Sequence, residues 1–98
     1  MFGYTLSNNV YTSNGKIAKG SKVVGYNFKN DGTTIALIST ADATPDEQPI
    51  PLYPGEAMDT RVIGGMDLSQ YVVSFKSIND IDPESQQSQL FVITFRVI

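Results

Sequence analysis

The chain has 98 residues and a formal net charge of −3, and 41% of its residues are hydrophobic. This size and composition predict one globular domain, residues 1–98, and argue against a disordered or membrane-spanning chain. Cysteine, histidine and tryptophan are absent. The sequence therefore excludes disulfides, thiolate and imidazole metal sites, and catalysis by an imidazole base or a thiol nucleophile.

The first third of the chain alternates short strand patterns with turn residues. Residues 4–6 and 10–12 are short strand candidates, and Ser-Asn-Gly at 13–15 is typical of a turn. Residues 22–29 predict a strand with Val24, Tyr26 and Phe28 on one face. Gly25 within it indicates a β-bulge or a close backbone approach.

The middle of the chain carries the clearest turn signals. Asn-Asp-Gly at 30–32 predicts a type I′ hairpin turn, so residues 33–39 should pair back on residues 22–29. Pro49 and Pro51 favour an edge strand at 50–53, and Pro54-Gly55 predicts a type II turn. Further strands are predicted at 57–63 and 70–76, the latter with Tyr71, Val73 and Phe75 on one face, and a single helical turn at 67–69.

No window of ten residues or more has the apolar spacing of an amphipathic helix. Seven or eight short strands predict an all-β fold, either a sandwich or a small barrel. Two packed sheets are favoured, because one open sheet would leave an apolar face in water. We therefore expect a single antiparallel β-sandwich of the jelly-roll or immunoglobulin-like type.

The last predicted strand, residues 89–98, is apolar on both faces. Phe91, Ile93, Phe95 and Val97 alternate with a second set that contains Leu90, Val92 and Ile98. The second sheet can cover only one face, so the other lies under a loop or against another subunit. We expect the face of Phe91 to enter the core, and the candidate assembly interface to comprise Leu90, Val92 and Ile98.

Three other features of the sequence bear on possible chemistry. The acidic residues of 79–84 have the spacing of oxygen ligands for calcium, but the glycine and distant glutamate of an EF-hand loop are missing, which favours a solvated loop. Tyr11, Tyr26 and Phe28, interleaved with four lysines, could stack on nucleic acid bases, but Tyr26 and Phe28 share a face with Val24, and a core stripe is the commoner use of this pattern. Paired carboxylates of a glycosidase have no specific signal here.

Three stretches together resemble a known class of proteins: residues 28–38 (FKNDGTTIALI), 50–56 (IPLYPGE) and 65–75 (GMDLSQYVVSF), followed by a final LFVI strand. Over residues 23–98 the chain resembles small β-sandwich virion proteins of bacteriophages, which decorate capsids or build necks, vertices and tails. The resemblance implies a multi-copy structural protein that acts through its surfaces, and it carries over no functional residue.

We therefore expect a non-enzymatic structural protein with no catalytic, cofactor-binding or metal site. Its expected partners are other virion proteins and further copies of itself, and neither a membrane nor nucleic acid. The expected location is the virion, after synthesis in the host cytoplasm without a signal peptide, because the N-terminus has no basic region and no long apolar run. The alternative is a monomeric carbohydrate- or ligand-binding module.

Overall fold

The computed structural model describes residues 4–18, 22–41, 47–60, 70–78 and 86–97. These residues form eight strands and no helix. The strands are β1 (Tyr4–Tyr11), β2 (Gly15–Lys16), β3 (Val23–Asn30), β4 (Ile35–Thr40), β5 (Ile50–Leu52), β6 (Ala57–Asp59), β7 (Tyr71–Lys76) and β8 (Leu90–Val97). None of the described residues belongs to a helix that could cross a membrane.

The strands pair as one long hairpin that has been rolled up. β1 pairs with β8, β2 with β7, β3 with β6 and β4 with β5, all antiparallel. Two further pairs, β3 with β8 and β4 with β7, complete two four-stranded sheets. The first sheet has the order β1-β8-β3-β6 and the second β2-β7-β4-β5.

Two four-stranded sheets with this pairing make a jelly roll. The predicted all-β sandwich is confirmed. The immunoglobulin-like alternative is wrong, because its sheets join several consecutive strands, whereas here only β4 and β5 are both consecutive and paired. Every other connection crosses from one sheet to the other.

The core lies between the two sheets and is built mainly by the inward faces of β3, β4, β7 and β8. Tyr26 and Phe28 of β3 are completely buried, and their rings stack at 5.6 Å between centroids. Tyr71 of β7 meets both rings edge-on at 5.3 and 5.5 Å. Each large side chain buried in this way contributes roughly 1.5–3 kcal/mol. The other buried residues of this core cluster are Ile17, Val23, Ala36, Ile38, Leu52, Val73, Leu90 and Val92.

The predicted hairpin at 30–32 is wrong. β3 and β4 lie in different sheets, so residues 31–34 form an arch that crosses the sandwich. Gly32 does not have the positive φ of a type I′ turn. Instead, the arch pairs with the segment before β8, where Asp31 N–H donates to Gln89 C=O at 3.0 Å and Thr33 N–H to Gln87 C=O at 2.7 Å.

Two other local predictions are confirmed. Gly55 has φ of +88°, and Glu56 N–H donates to Tyr53 C=O at 2.9 Å, as in a type II turn. The register of β3 against β8 shifts between Val23 and Gly25, so Gly25 does mark a β-bulge.

Strand positions agree with the sequence in most places. β7 carries Val73 into the core with Tyr71 and Phe75 packed beside it, and β5 is an edge strand as predicted. The two short candidates at 4–6 and 10–12 are one continuous strand, β1. The predicted helical turn at 67–69 and the acidic loop at 79–84 lie outside the described residues.

Candidate interaction surface

The predicted interface residues do not lie on the surface. Leu90 is 0% exposed and Val92 is 1% exposed, and both belong to the core. Ile98 lies outside the described residues. The expectation that Leu90 and Val92 form an exposed contact face is therefore wrong. Their face of the last strand enters the core, and the face of Phe91 points outward.

The register of β8 explains why this face is inside. Val92 lies opposite Phe28, and Thr94 lies opposite Tyr26, so this face of β8 continues the aromatic face of β3. Successive side chains of a strand point to opposite sides. Because Phe28 and Tyr26 face the second sheet, Leu90 and Val92 must do so as well.

The other face of β8 points away from the second sheet. Phe91, Ile93 and Phe95 are only half-buried. On the neighbouring strand β1, Val10 lies opposite Phe91 and Leu6 lies opposite Phe95. We call these five residues, Leu6, Val10, Phe91, Ile93 and Phe95, the outer patch.

Leu6 and Val10 are the most exposed part of the outer patch. Leu6 is 63% exposed and Val10 is 51% exposed. The residues on the other face of the same strand, Thr5, Ser7 and Asn9, are polar, although Thr5 and Asn9 are exposed at this edge of the sheet. Strand β1 thus has the reverse of the usual arrangement, with apolar side chains turned to the outside of the sandwich.

Sequence reasoning missed Leu6 and Val10 because it divided β1 into two short pieces. The available signal was the alternation along residues 5–10, where apolar residues occur only at even positions. Read as one strand, that alternation places Leu6 and Val10 on the same face.

A polar rim borders the outer patch on the side of β3. Asn27 lies opposite Ile93, and Lys29 lies opposite Phe91. The side chain of Lys29 is 53% exposed and lies 3.6 Å from the carboxylate of Asp31. An apolar centre with a polar rim on one side is the arrangement of a protein–protein contact surface.

A second candidate is a cleft of about 380 Å³ where the edges of the two sheets meet. Its apolar lining includes Ile38, Ile50 and Met58, and its polar lining includes the exposed Glu47 and Asp59. The volume lies within the range of small-molecule sites. Chemically, the cleft offers carboxylate and hydroxyl groups beside an apolar wall.

Nucleic acid stacking on Tyr26 and Phe28 is not available in this fold. Both side chains are 0% exposed, so the core interpretation of this stripe is confirmed. In the described ranges, no three acidic residues lie close enough together to hold a metal ion.

Comparisons of the chain with protein-family models, with curated proteins and with solved structures found no match.

Proposed function

We propose that this protein is a non-enzymatic structural protein that assembles in many copies, and that a bacteriophage virion is its context. The observation that carries the proposal is the outer patch, which places exposed Leu6 and Val10 beside the half-buried face of β8. Water contact with an apolar surface of this kind is unfavourable, and association with another surface removes it.

The topology supports the virion context by analogy. Jelly rolls form viral capsid domains and also lectin domains. A fold does not determine a function by itself, so the analogy adds to the surface argument and to the resemblance over residues 23–98. In a particle with many copies, contacts that are weak individually become strong together.

Analytical ultracentrifugation across the micromolar range tests self-assembly. We expect the wild-type chain to form dimers or larger species, and Ile93→Lys to shift it towards smaller species, because a lysine in the middle of the patch resists desolvation. Leu37→Lys is the matched control. Leu37 is also half-buried on a central strand, but on the outer face of the second sheet, opposite Ser74 and Pro51.

A wild-type chain that stays monomeric at every soluble concentration contradicts self-assembly. Equal effects of Ile93→Lys and Leu37→Lys would show that the outer patch is not the contact surface. Mass spectrometry of virus particles purified from a culture that carries the gene tests the virion context directly. The protein should be present in these particles in many copies.

The second candidate function is a monomeric carbohydrate- or ligand-binding module. The cleft beside β4, β5 and β6 favours it, since its volume would admit one or two sugar rings. Titration with a panel of soluble glycans, with binding measured by nuclear magnetic resonance, separates the two functions. Chemical shift changes that saturate with glycan concentration and are confined to Ile50, Met58 and Thr60, in a monomeric protein, would support the second function against the first.

A further inference from the structure

Among the residues that the structure describes, strand β1 is a long sheet edge without the usual protection against pairing. It has eight residues and contains no charged residue and no proline. In the described part of the chain it pairs only with β8. Edge strands are normally short, charged, interrupted by proline or covered.

The other three edges of the described sheets are protected in these ways. β2 has two residues and includes Lys16, β5 has three and includes Pro51, and β6 has three and includes Asp59. Strand β1 is therefore the edge at which a further strand can add to the sandwich.

The hydrogen-bond pattern shows which groups of β1 point to that edge. Asp31 N–H donates to Gln89 C=O, and the pairing of β3 with β8 continues in the same register, with Lys29 opposite Phe91. In an antiparallel ladder, alternate residues bond to the same neighbour. The odd residues of β8 thus bond to β3, and its even residues bond to β1.

It follows that the odd residues of β1 bond to β8, since each even residue of β8 lies opposite an odd residue of β1. The even residues Leu6, Asn8 and Val10 turn their N–H and C=O groups to the open edge. They are also the residues whose side chains lie on the outer face, with Leu6 and Val10 in the outer patch.

A second copy of the same strand fits this edge. Antiparallel pairing of two β1 strands about a twofold axis must join even residues to even residues. One register places Leu6 of each copy opposite Val10 of the other and Asn8 opposite Asn8. It makes about six new backbone hydrogen bonds, and the two cross-strand Leu–Val contacts are apolar. The alternative register, centred on Ser7, places Leu6 opposite Asn8 and loses those contacts.

We propose that two copies of the chain pair along β1 in the register that joins Leu6 to Val10, which forms a continuous eight-stranded sheet. No like charges meet across the axis, because β1 is uncharged. The two outer patches become contiguous on one side of the joined sheet. This inference rests on the proposed function, because it specifies how two of the assembling copies join and leaves their outer patches side by side for a further contact.

Single-cysteine variants test the register, since the natural chain has no cysteine. In this register the two Asn8 Cα atoms lie about 5.5 Å apart, within reach of a disulfide. We expect Asn8→Cys to form a crosslinked dimer on mild oxidation. Leu6→Cys and Val10→Cys should crosslink when mixed and not alone, because identical positions are then about 14 Å apart along the strand. Ala41→Cys, at an exposed turn away from β1, is the control that should stay uncrosslinked.

A pair of proline variants tests the ladder without oxidation. Asn8→Pro removes an N–H group that points to the open edge, so the fold should tolerate it while association weakens about tenfold or more. Asn9→Pro removes an N–H group that bonds to β8, and it should lower the melting temperature instead. Association is read by ultracentrifugation of the folded variants.

The outcomes separate this inference from the proposed function. If Ile93→Lys abolishes association and Asn8→Pro leaves it unchanged, edge pairing is overturned and assembly through the outer patch stands. Crosslinking of Leu6→Cys with Asn8→Cys in place of Val10→Cys overturns the register. If the wild-type chain never associates, the proposed function fails together with the pairing.

Discussion

The side-chain amide of Asn30 donates a 2.7 Å hydrogen bond to the backbone carbonyl of Leu52, and thereby joins the end of β3 in the first sheet to β5 in the second. The same nitrogen donates to Thr34 C=O at 2.7 Å, and the amide oxygen accepts from Gly32 N–H at 2.9 Å. Asn30 is completely buried. One side chain therefore satisfies three backbone groups, two in the arch at 31–34 and one at the end of β5.

Replacement of Asn30 by alanine should destabilise the protein by about 2–4 kcal/mol, because it leaves three buried backbone groups without their partner. Urea denaturation followed by circular dichroism measures the change. Asn9→Ala is the matched control, since Asn9 is exposed, and its effect should stay within about 0.5 kcal/mol. Similar losses in the two variants would contradict this role of Asn30.

Gly32 is required by a close backbone approach and not by its φ angle. A Cβ atom at this position would meet Gln87 O and would lie 2.6 Å from Gln89 N, both of them backbone atoms. We expect Gly32→Ala to cost about 1–3 kcal/mol, as overpacking does elsewhere. Gly15 has open space around it and no positive φ, so Gly15→Ala should be neutral or slightly stabilising. Thermal unfolding of both variants gives the comparison.

The sequence predicted most strands correctly but misplaced one important connection. Local turn chemistry at 30–32 is the same for a hairpin within one sheet and for an arch between two sheets. The choice is made by Asn30, whose partner Leu52 is 22 residues away, and by the pairing of the arch with residues 87–89. These long-range contacts leave no local pattern in the sequence. The Pro54-Gly55 turn was predictable because its geometry depends on the positive φ angle of Gly55, which is a local property of the turn.

The candidate surface was harder to predict for a related reason. Both faces of β8 are apolar, so alternation alone cannot show which face the second sheet covers. The answer depends on register, which places Val92 beside Phe28 and turns Ile93 outward. The reversed alternation of β1 was visible in the sequence, and with β1 paired to β8 it would have identified the outer face.

The ion pair between Lys29 and Asp31 should contribute little to stability. Its atoms are 3.6 Å apart, and the two side chains are 53% and 35% exposed. We expect Asp31→Asn to change the free energy of unfolding by less than about 1 kcal/mol, since the backbone bond from Asp31 to Gln89 remains. Urea denaturation at low and high salt measures the effect. A large loss that salt abolishes would contradict this expectation.

The two faces of β8 should differ strongly in their response to an introduced charge. Val92 is 1% exposed within the core, and Val92→Asp places an unpaired carboxylate there. We expect a loss of more than about 4 kcal/mol and an unfolded or severely destabilised protein. Circular dichroism and thermal unfolding report this directly.

Ile93, one residue further along, is half-buried on the outer face. A carboxylate at this position can reach water, so Ile93→Asp should remain folded, with a loss of about 1–2 kcal/mol, and it should lower self-association in ultracentrifugation. Val92→Ile is a useful companion, because it keeps the core apolar and tests only the added volume. If Ile93→Asp unfolds the protein as completely as Val92→Asp, the outer face of β8 is covered within a single chain, and the outer patch cannot be the basis of assembly.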